Sequence, residues 1–185
     1  MSEVSEARPP TATAKATRRV AVAQSGWRWL PLTAGVIVAD QLVKAWIAHH
    51  FALFERVHVL AVLDIILTYN TGAAFSFLAE ASGWQRWLFV LLALAVSAVL
   101  IGWMRRLRAS SQGVLACGLA LIAGGALGNM LDRLRSGRVV DFVHVHWHQH
   151  YFPAFNVADS AITIGAALLL LDAFLETRRA AGVRP

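Results

Sequence analysis

Four stretches of nearly unbroken apolar residues organise this chain, at about 29–48, 87–104, 114–131 and 157–175. Each approaches the roughly 20 residues that a helix needs to cross a bilayer. Tryptophans mark the ends of the first two: Trp27, Trp29 and Trp46, then Trp84, Trp87 and Trp103. Amphipathic rings at both ends of an apolar helix form the belt expected at membrane–water interfaces. Two segments between the runs read differently. "RVHVLAVLDIILTYN" in the first is β-branched and partly alternating, which predicts one or two strands. "AAFSFLAEASGW" after it suits a short interfacial helix. "GRVVDFVHVHW" in the second is another strand-like run. The pattern predicts a mainly α membrane protein: four transmembrane helices with a small sheet on the outer membrane face.

Composition agrees. The chain is 57% hydrophobic, with a mean hydropathy of +0.55, too apolar for an ordinary soluble domain of 185 residues. The net charge of +6 could suggest a nucleic-acid partner, but the basic residues are sorted by side. Eleven flank the spans on the side that holds both termini, among them Arg18, Arg19, Arg105, Arg106, Arg178 and Arg179. Five (Arg56, Arg86, Arg133, Arg135 and Arg138) fall on the other side, and Lys44 lies within a span. This bias predicts cytoplasmic termini and makes the charge a topology signal. Residues 1–26 read as a disordered cytoplasmic tail, 27–177 as the membrane domain and 178–185 as a cytoplasmic tail. The first span is too long, and with Asp40 and Lys44 too charged, for a cleavable signal peptide. Cys117 sits in an apolar run and reads as a small packing residue.

The polar residues converge once orientation is fixed. Asp40 falls roughly 18 Å into the first span at 1.5 Å per residue, with Lys44 one turn beyond it. Asn129 and Asp132 close the third span; Asn156 and Asp159 open the fourth; Asn70 and Asp141 lie in the outer segments. All belong to the outer side, and ionisable groups at membrane depth are functional candidates. Each also has a structural explanation. Asp40 and Lys44 are spaced as an i, i+4 ion pair. Asn156 suits a helix N-cap, with Asp159 as a first-turn acid. Asp132 and Arg133 could pair at the surface. Gly124 and Gly128 have the small-xxx-small spacing of packed helices. His144, His146, His148 and His150 alternate and would share one face of a strand, so zinc is conceivable, but no cysteine or His-Glu-x-x-His partner accompanies them and no metal is expected.

No nucleophile elbow or phosphate-binding glycine loop is present. Carboxylates and amides remain. Two close aspartates that share one proton can deprotonate a water and polarise a carbonyl, which is aspartic-peptidase chemistry. A proton-coupled transporter would also use buried acids, but four spans without an internal repeat do not suit one. Spacing alone leaves Asp132, Asp141 and Asp159 as competitors for the two roles.

The stretches "ADQLVKAW", "YNTGAAFSF", "GGALGNMLDR", "VVDF" and "FNVADSAI", in this order, resemble the bacterial lipoprotein signal peptidases (signal peptidase II) across about residues 28–176. The resemblance implies a four-helix bundle with an extracytoplasmic sheet cradle and a short interfacial helix, in the inner membrane. It implies cleavage of prolipoproteins just before a diacylglyceryl-modified cysteine, with membrane lipid and these lipid-modified substrates as partners. No nucleic acid, no cofactor and a monomer are expected. The resemblance assigns the catalytic pair to Asp141 and Asp159. Asp132 would support them with Asn129 and Arg133. Asn70, Gly72, Ala73, Asn156 and Ala158 would orient the pair or hold the substrate, and Asp40 and Lys44 would brace the site.

Overall fold

The computed structural model describes residues 25–72, 83–107 and 112–182. A 3-10 turn, Gly26–Trp29, leads into helix α1, Leu30–His50. Strands β1 (Arg56–Leu60) and β2 (Leu63–Asn70) form a hairpin. Helices α2 (Trp84–Met104) and α3 (Gly113–Ser136) follow. Strand β3 (Val139–Trp147), a short β4 (His150–Tyr151) and helix α4 (Val157–Gly182) complete the chain. The four strands form one antiparallel sheet in the order β1-β2-β3-β4. The proposed interfacial helix and Ala73 lie outside the described residues.

All four long helices are apolar enough to cross a membrane. Their ends differ from the apolar runs in an instructive way. The third run predicts an end near residue 131, but α3 continues to Ser136, because Arg133 and Arg135 are good helix formers and Asp132, a weaker one, finds partners. Gly137, at φ 77°, then stops it in the left-handed conformation that glycine adopts without strain. The fourth helix also runs on, past the residue 177 boundary, to Gly182.

The bundle is apolar outside, and inside it holds a buried apolar cluster around Met104, Leu107 and Leu119 toward the terminal end and polar residues toward the sheet. Leu42, Trp46, Leu91, Leu94, Val99, Leu170 and Phe174 are exposed, as suits side chains whose solvent is lipid. Asp40, Lys44, Asn129, Asp132 and Asn156 are buried. Helix α3 is central and packs on α1, α2 and α4. Small residues make this possible. A Cβ on Gly124 would come within 2.8 Å of Val36 Cβ on α1, and one on Gly165 within 2.7 Å of the Gly118 carbonyl oxygen. A Cβ on Gly125 would overlap the Ala158 carbonyl. The Gly124–Gly128 spacing therefore serves packing, as close backbone approach requires. At the terminal end of the bundle, the Gly26 N–H donates to the Leu107 carbonyl (3.1 Å) and the Trp27 indole to the Ile101 carbonyl (3.2 Å). At the opposite end the sheet covers the polar interior, with Ile47, Leu67 and Phe142 forming a small apolar cluster under it.

Gly125→Val should lower the thermal midpoint in detergent by several degrees, since its side chain would meet the Ala158 backbone carbonyl and Ile162 Cγ1. Gly35→Ala, where nothing lies within 4 Å of the added methyl, should be neutral or stabilising by up to about 1 kcal/mol. Scanning fluorimetry of the two variants checks the contrast.

Candidate active site

Lysine 44 is the hub of the buried end of the bundle. Its ammonium contacts Asp40 Oδ2 at 2.8 Å, Asp132 Oδ2 at 2.9 Å and Asn129 Oδ1 at 2.7 Å. Three donors thus meet three acceptors, and the pair of carboxylates is not left uncompensated. Asp132 is therefore not a surface partner of Arg133, as its position beside that residue suggested. It faces inward, and its Oδ2 also accepts the Val140 N–H (3.3 Å), tying α3 to β3. Asp40 does more than pair with Lys44: its Oδ1 accepts the Ala158 N–H (2.9 Å) in the first turn of α4.

The start of α4 is a reciprocal cap. The Asp159 N–H donates to Asn156 Oδ1 (2.9 Å), and the Asn156 N–H donates to Asp159 Oδ2 (3.2 Å). This is the capping arrangement that satisfies otherwise orphaned amides. The same residues reach further. Asn156 Nδ2 donates to Asp141 Oδ1 (2.7 Å) and lies 3.2 Å from the Val140 carbonyl and from Asn129 Oδ1. Asn129 Nδ2 donates to Asp159 Oδ1 (2.8 Å). Two amides, each held by its own partners, thus aim a donor at each of two carboxylates on different elements.

Asp141 and Asp159 both line a cavity of about 1180 Å³. Asn70, Asn129 and Arg133 border it, and it continues along α4 past Thr163 and the exposed Ile164. Asp40 and Asp132 do not line it. Arg133 donates to the Gly72 carbonyl (2.8 Å) and lies over the Phe89 ring, fixing the chain just after β2. The Gly72 N–H in turn donates to Asn70 Oδ1 (2.9 Å). Asn70 also hydrogen-bonds the Asp141 carboxyl.

Burial, and then the neighbouring Asp159 charge, push the Asp141 carboxyl up to about 7 from its usual 3.8; hydrogen bonds from Asn156 and Asn70 and the Lys44 charge oppose this only in part. Asp141 is 3% exposed, so the ionised form loses most of its water. As a coupled group, it titrates together with its neighbour.

Sequence reasoning missed Gln41. Its amide reaches Asp132 Oδ1 (2.8 Å), the Gly128 carbonyl (3.2 Å) and Asp40 Oδ2 (3.3 Å), and its carbonyl accepts from Arg135. Its place directly after Asp40 in a span was the available signal. The row of histidines does not share one strand face: β3 ends at Trp147, His148 sits in a turn at φ 53°, and His150 belongs to β4.

The fold and the site together define a membrane enzyme class: a helical bundle, capped by a sheet, with two carboxylates on one cavity. Comparison with known proteins makes this specific. Residues 32–175 match the family Signal peptidase (SPase) II, and the chain belongs to that family. It is 54% identical to the lipoprotein signal peptidase of Pseudomonas aeruginosa (strain UCBPP-PA14) over 148 residues, covering 79% of this chain and 87% of that one. It is 48% identical to that of Shewanella halifaxensis (strain HAW-EB4) over 151 residues, covering 82% and 88%. A bacterial membrane enzyme solved in meso at 2.3 Å superposes with a TM-score of 0.71 at 27% identity, over 81% of this chain and 89% of that one. The protein is thus a multi-pass membrane protein.

Lys44→Met should cost about 3–5 kcal/mol, the penalty for leaving partners of a buried ion pair uncompensated; thermal unfolding in detergent checks this. A carboxyl raised in the folded state binds a proton that the unfolded chain releases between pH 3.8 and about 7, so its contribution to stability falls as pH rises through that window. Asp141→Asn should therefore raise the thermal midpoint more at pH 8 than at pH 5. An equal shift at both would contradict the raised carboxyl.

Proposed function

We propose that the protein is an aspartic endopeptidase that removes the signal peptide from diacylglyceryl-modified prolipoproteins, with Asp141 and Asp159 as the catalytic pair. Family membership supports the activity: signal peptidase II enzymes are proteases of lipoprotein signal peptides. The observation that carries the assignment of the pair is the cavity wall, where Asp141 and Asp159 meet and from which Asp132 is absent.

Each carboxyl has a role that its surroundings suit. Asp159, in the first turn of α4 with N–H donors from Asn129 and Asn156, is the carboxylate that takes a proton from water. Asp141, holding its proton near neutral pH, donates a hydrogen bond to the scissile carbonyl oxygen. Water oxygen bonds to the carbonyl carbon as its proton passes to Asp159, the carbonyl electrons move to oxygen, and that oxygen takes the Asp141 proton to give a neutral gem-diol. Collapse of this gem-diol breaks the C–N bond, the proton gained by Asp159 passes to the leaving amine, and one hydroxyl returns its proton to Asp141 as the new carboxyl group forms. No acyl-enzyme forms. The amides hold both carboxyls in place, so the hydrogen bonds that stabilise the transition state need no rearrangement.

The lipid of the substrate cysteine would lie along the exposed flank of α4, where the cavity runs past Ile164. Each buried CH₂ is worth roughly 0.8 kcal/mol, and binding energy from such remote chains positions the reacting carbonyl. The excess of basic residues on the termini side supports cytoplasmic termini and a site near the extracytoplasmic face, and membership of a bacterial membrane-enzyme family supports the inner membrane. The enzyme acts as a monomer without a cofactor.

Gel-shift cleavage of a diacylglyceryl-modified prolipoprotein in detergent tests the assignment. Asp141→Asn and Asp159→Asn, each shown to fold, should lose at least about a hundredfold in rate, while Asp132→Asn keeps partial activity. Full activity in Asp141→Asn with a dead Asp132→Asn would move the pair to Asp132 and Asp159. Cleavage surviving all three substitutions would remove the aspartic mechanism.

A further inference from the structure

Away from the catalytic pair, the sheet carries a second polar cluster that the reaction does not use. Asp64 on β2 is completely buried. It stands opposite His58 on β1 and opposite His144 on β3. His146, two residues beyond His144, falls on the same face, as alternation in a strand requires. His58 Nδ1 lies 2.5 Å from Asp64 Oδ1, and His146 Nε2 lies 3.3 Å from the same oxygen. The ligand atoms of the three residues all lie within 4.8 Å of one another. Asp64 Oδ2 has no hydrogen-bond partner among the described residues; the Arg56 guanidinium is 3.6 Å away.

We propose that His58, Asp64 and His146 form a binding site for a zinc-class divalent cation that staples β1, β2 and β3 together. Two imidazoles and a carboxylate are a common zinc donor set, and imidazole selects zinc, cobalt or nickel over magnesium or calcium. Ligands at about 2.0–2.1 Å around a tetrahedral ion stand about 3.3 Å apart. The His146–Asp64 separation already has that value. His58 is closer, but its side chain is 75% exposed and swings out without displacing any core group. Water completes the coordination. Among the described residues, Arg56 opposes a cation at Asp64. It faces Oδ2 rather than the Oδ1 edge shared by the histidines, and it is 38% exposed, so it can turn to solvent or keep its contact with the Tyr151 ring. The site matters for the cavity because Arg56, His144 and Tyr151 belong to the cavity wall. A cation at Asp64 would fix the hairpin that forms this rim.

The test uses the full chain in detergent, purified without a histidine tag and stripped with chelator. Cobalt(II) is titrated and followed by its visible d–d absorption, and zinc by calorimetry. The proposal expects one equivalent bound with micromolar or tighter affinity and an intense tetrahedral cobalt spectrum. His58→Ala and His146→Ala should each weaken binding at least about tenfold, while His150→Ala on β4 leaves it unchanged. Amide exchange in β1 should slow when zinc is added to the wild type and not to His58→Ala. No binding would overturn the proposal. So would binding that survives both His58→Ala and His146→Ala, or that His150→Ala abolishes.

Discussion

The ammonium of Lys44 is what the interior of this bundle depends on. A membrane protein gains little from burying apolar side chains against each other, since lipid is as apolar as they are. Specific polar contacts must hold its helices in register. Lys44 binds acceptors from α1 and α3, and through them reaches the rest. Asp40 carries the link to the α4 backbone, Asn129 carries it to Asp159, and Asp132 carries it to the β3 backbone. One cation thus sets the relative positions of the two elements that present Asp141 and Asp159.

This division of labour explains why so many polar residues surround the proposed pair, Asp141 and Asp159. Four acids sit at the same end of the bundle, and two of them meet the lysine charge. The other two meet mainly neutral amides. A full positive charge on each would hold both ionised; amide donors leave room for one proton to be shared. Asn156 serves both purposes at once, because the geometry of a helix cap leaves its Nδ2 free to turn toward β3. The structural explanation of Asn156 and Asp159 as a capping pair and the functional one are therefore the same contacts seen from two sides.

Much of this was legible in the sequence. The spans follow from length and hydropathy, and the strands from β-branched alternation in "RVHVLAVLDIILTYN" and "GRVVDFVHVHW". Even the clustering of acids follows from counting basic residues on each side. What could not be read is which way each acid faces. Asp132 stands just beyond the apolar run, and only the continuation of α3 to Ser136 turns it toward Lys44. Asp64 carries no signal of its own in that strand-like stretch. Its meeting with His58 and His146 depends on a hairpin register, and on strand pairing that shifts between Ile65 and Thr68, which no local pattern specifies. Gln41 was hidden by its neighbours, since a glutamine beside two charges carries no signal until its partners are known.

The central claim is that Asp141 holds a proton near neutral pH because burial, and then the neighbouring Asp159 charge, disfavour its ionised form. Infrared difference spectroscopy of the detergent-solubilised protein, titrated across neutrality, measures that directly through the stretch of a protonated carboxyl. The account predicts a band that disappears near pH 7 in the wild type, is missing in Asp141→Asn, and titrates at lower pH in Asp159→Asn, where the neighbouring charge is gone. A band that ignores both substitutions, or a wild-type protein whose carboxyls all titrate in the ordinary range, would contradict it.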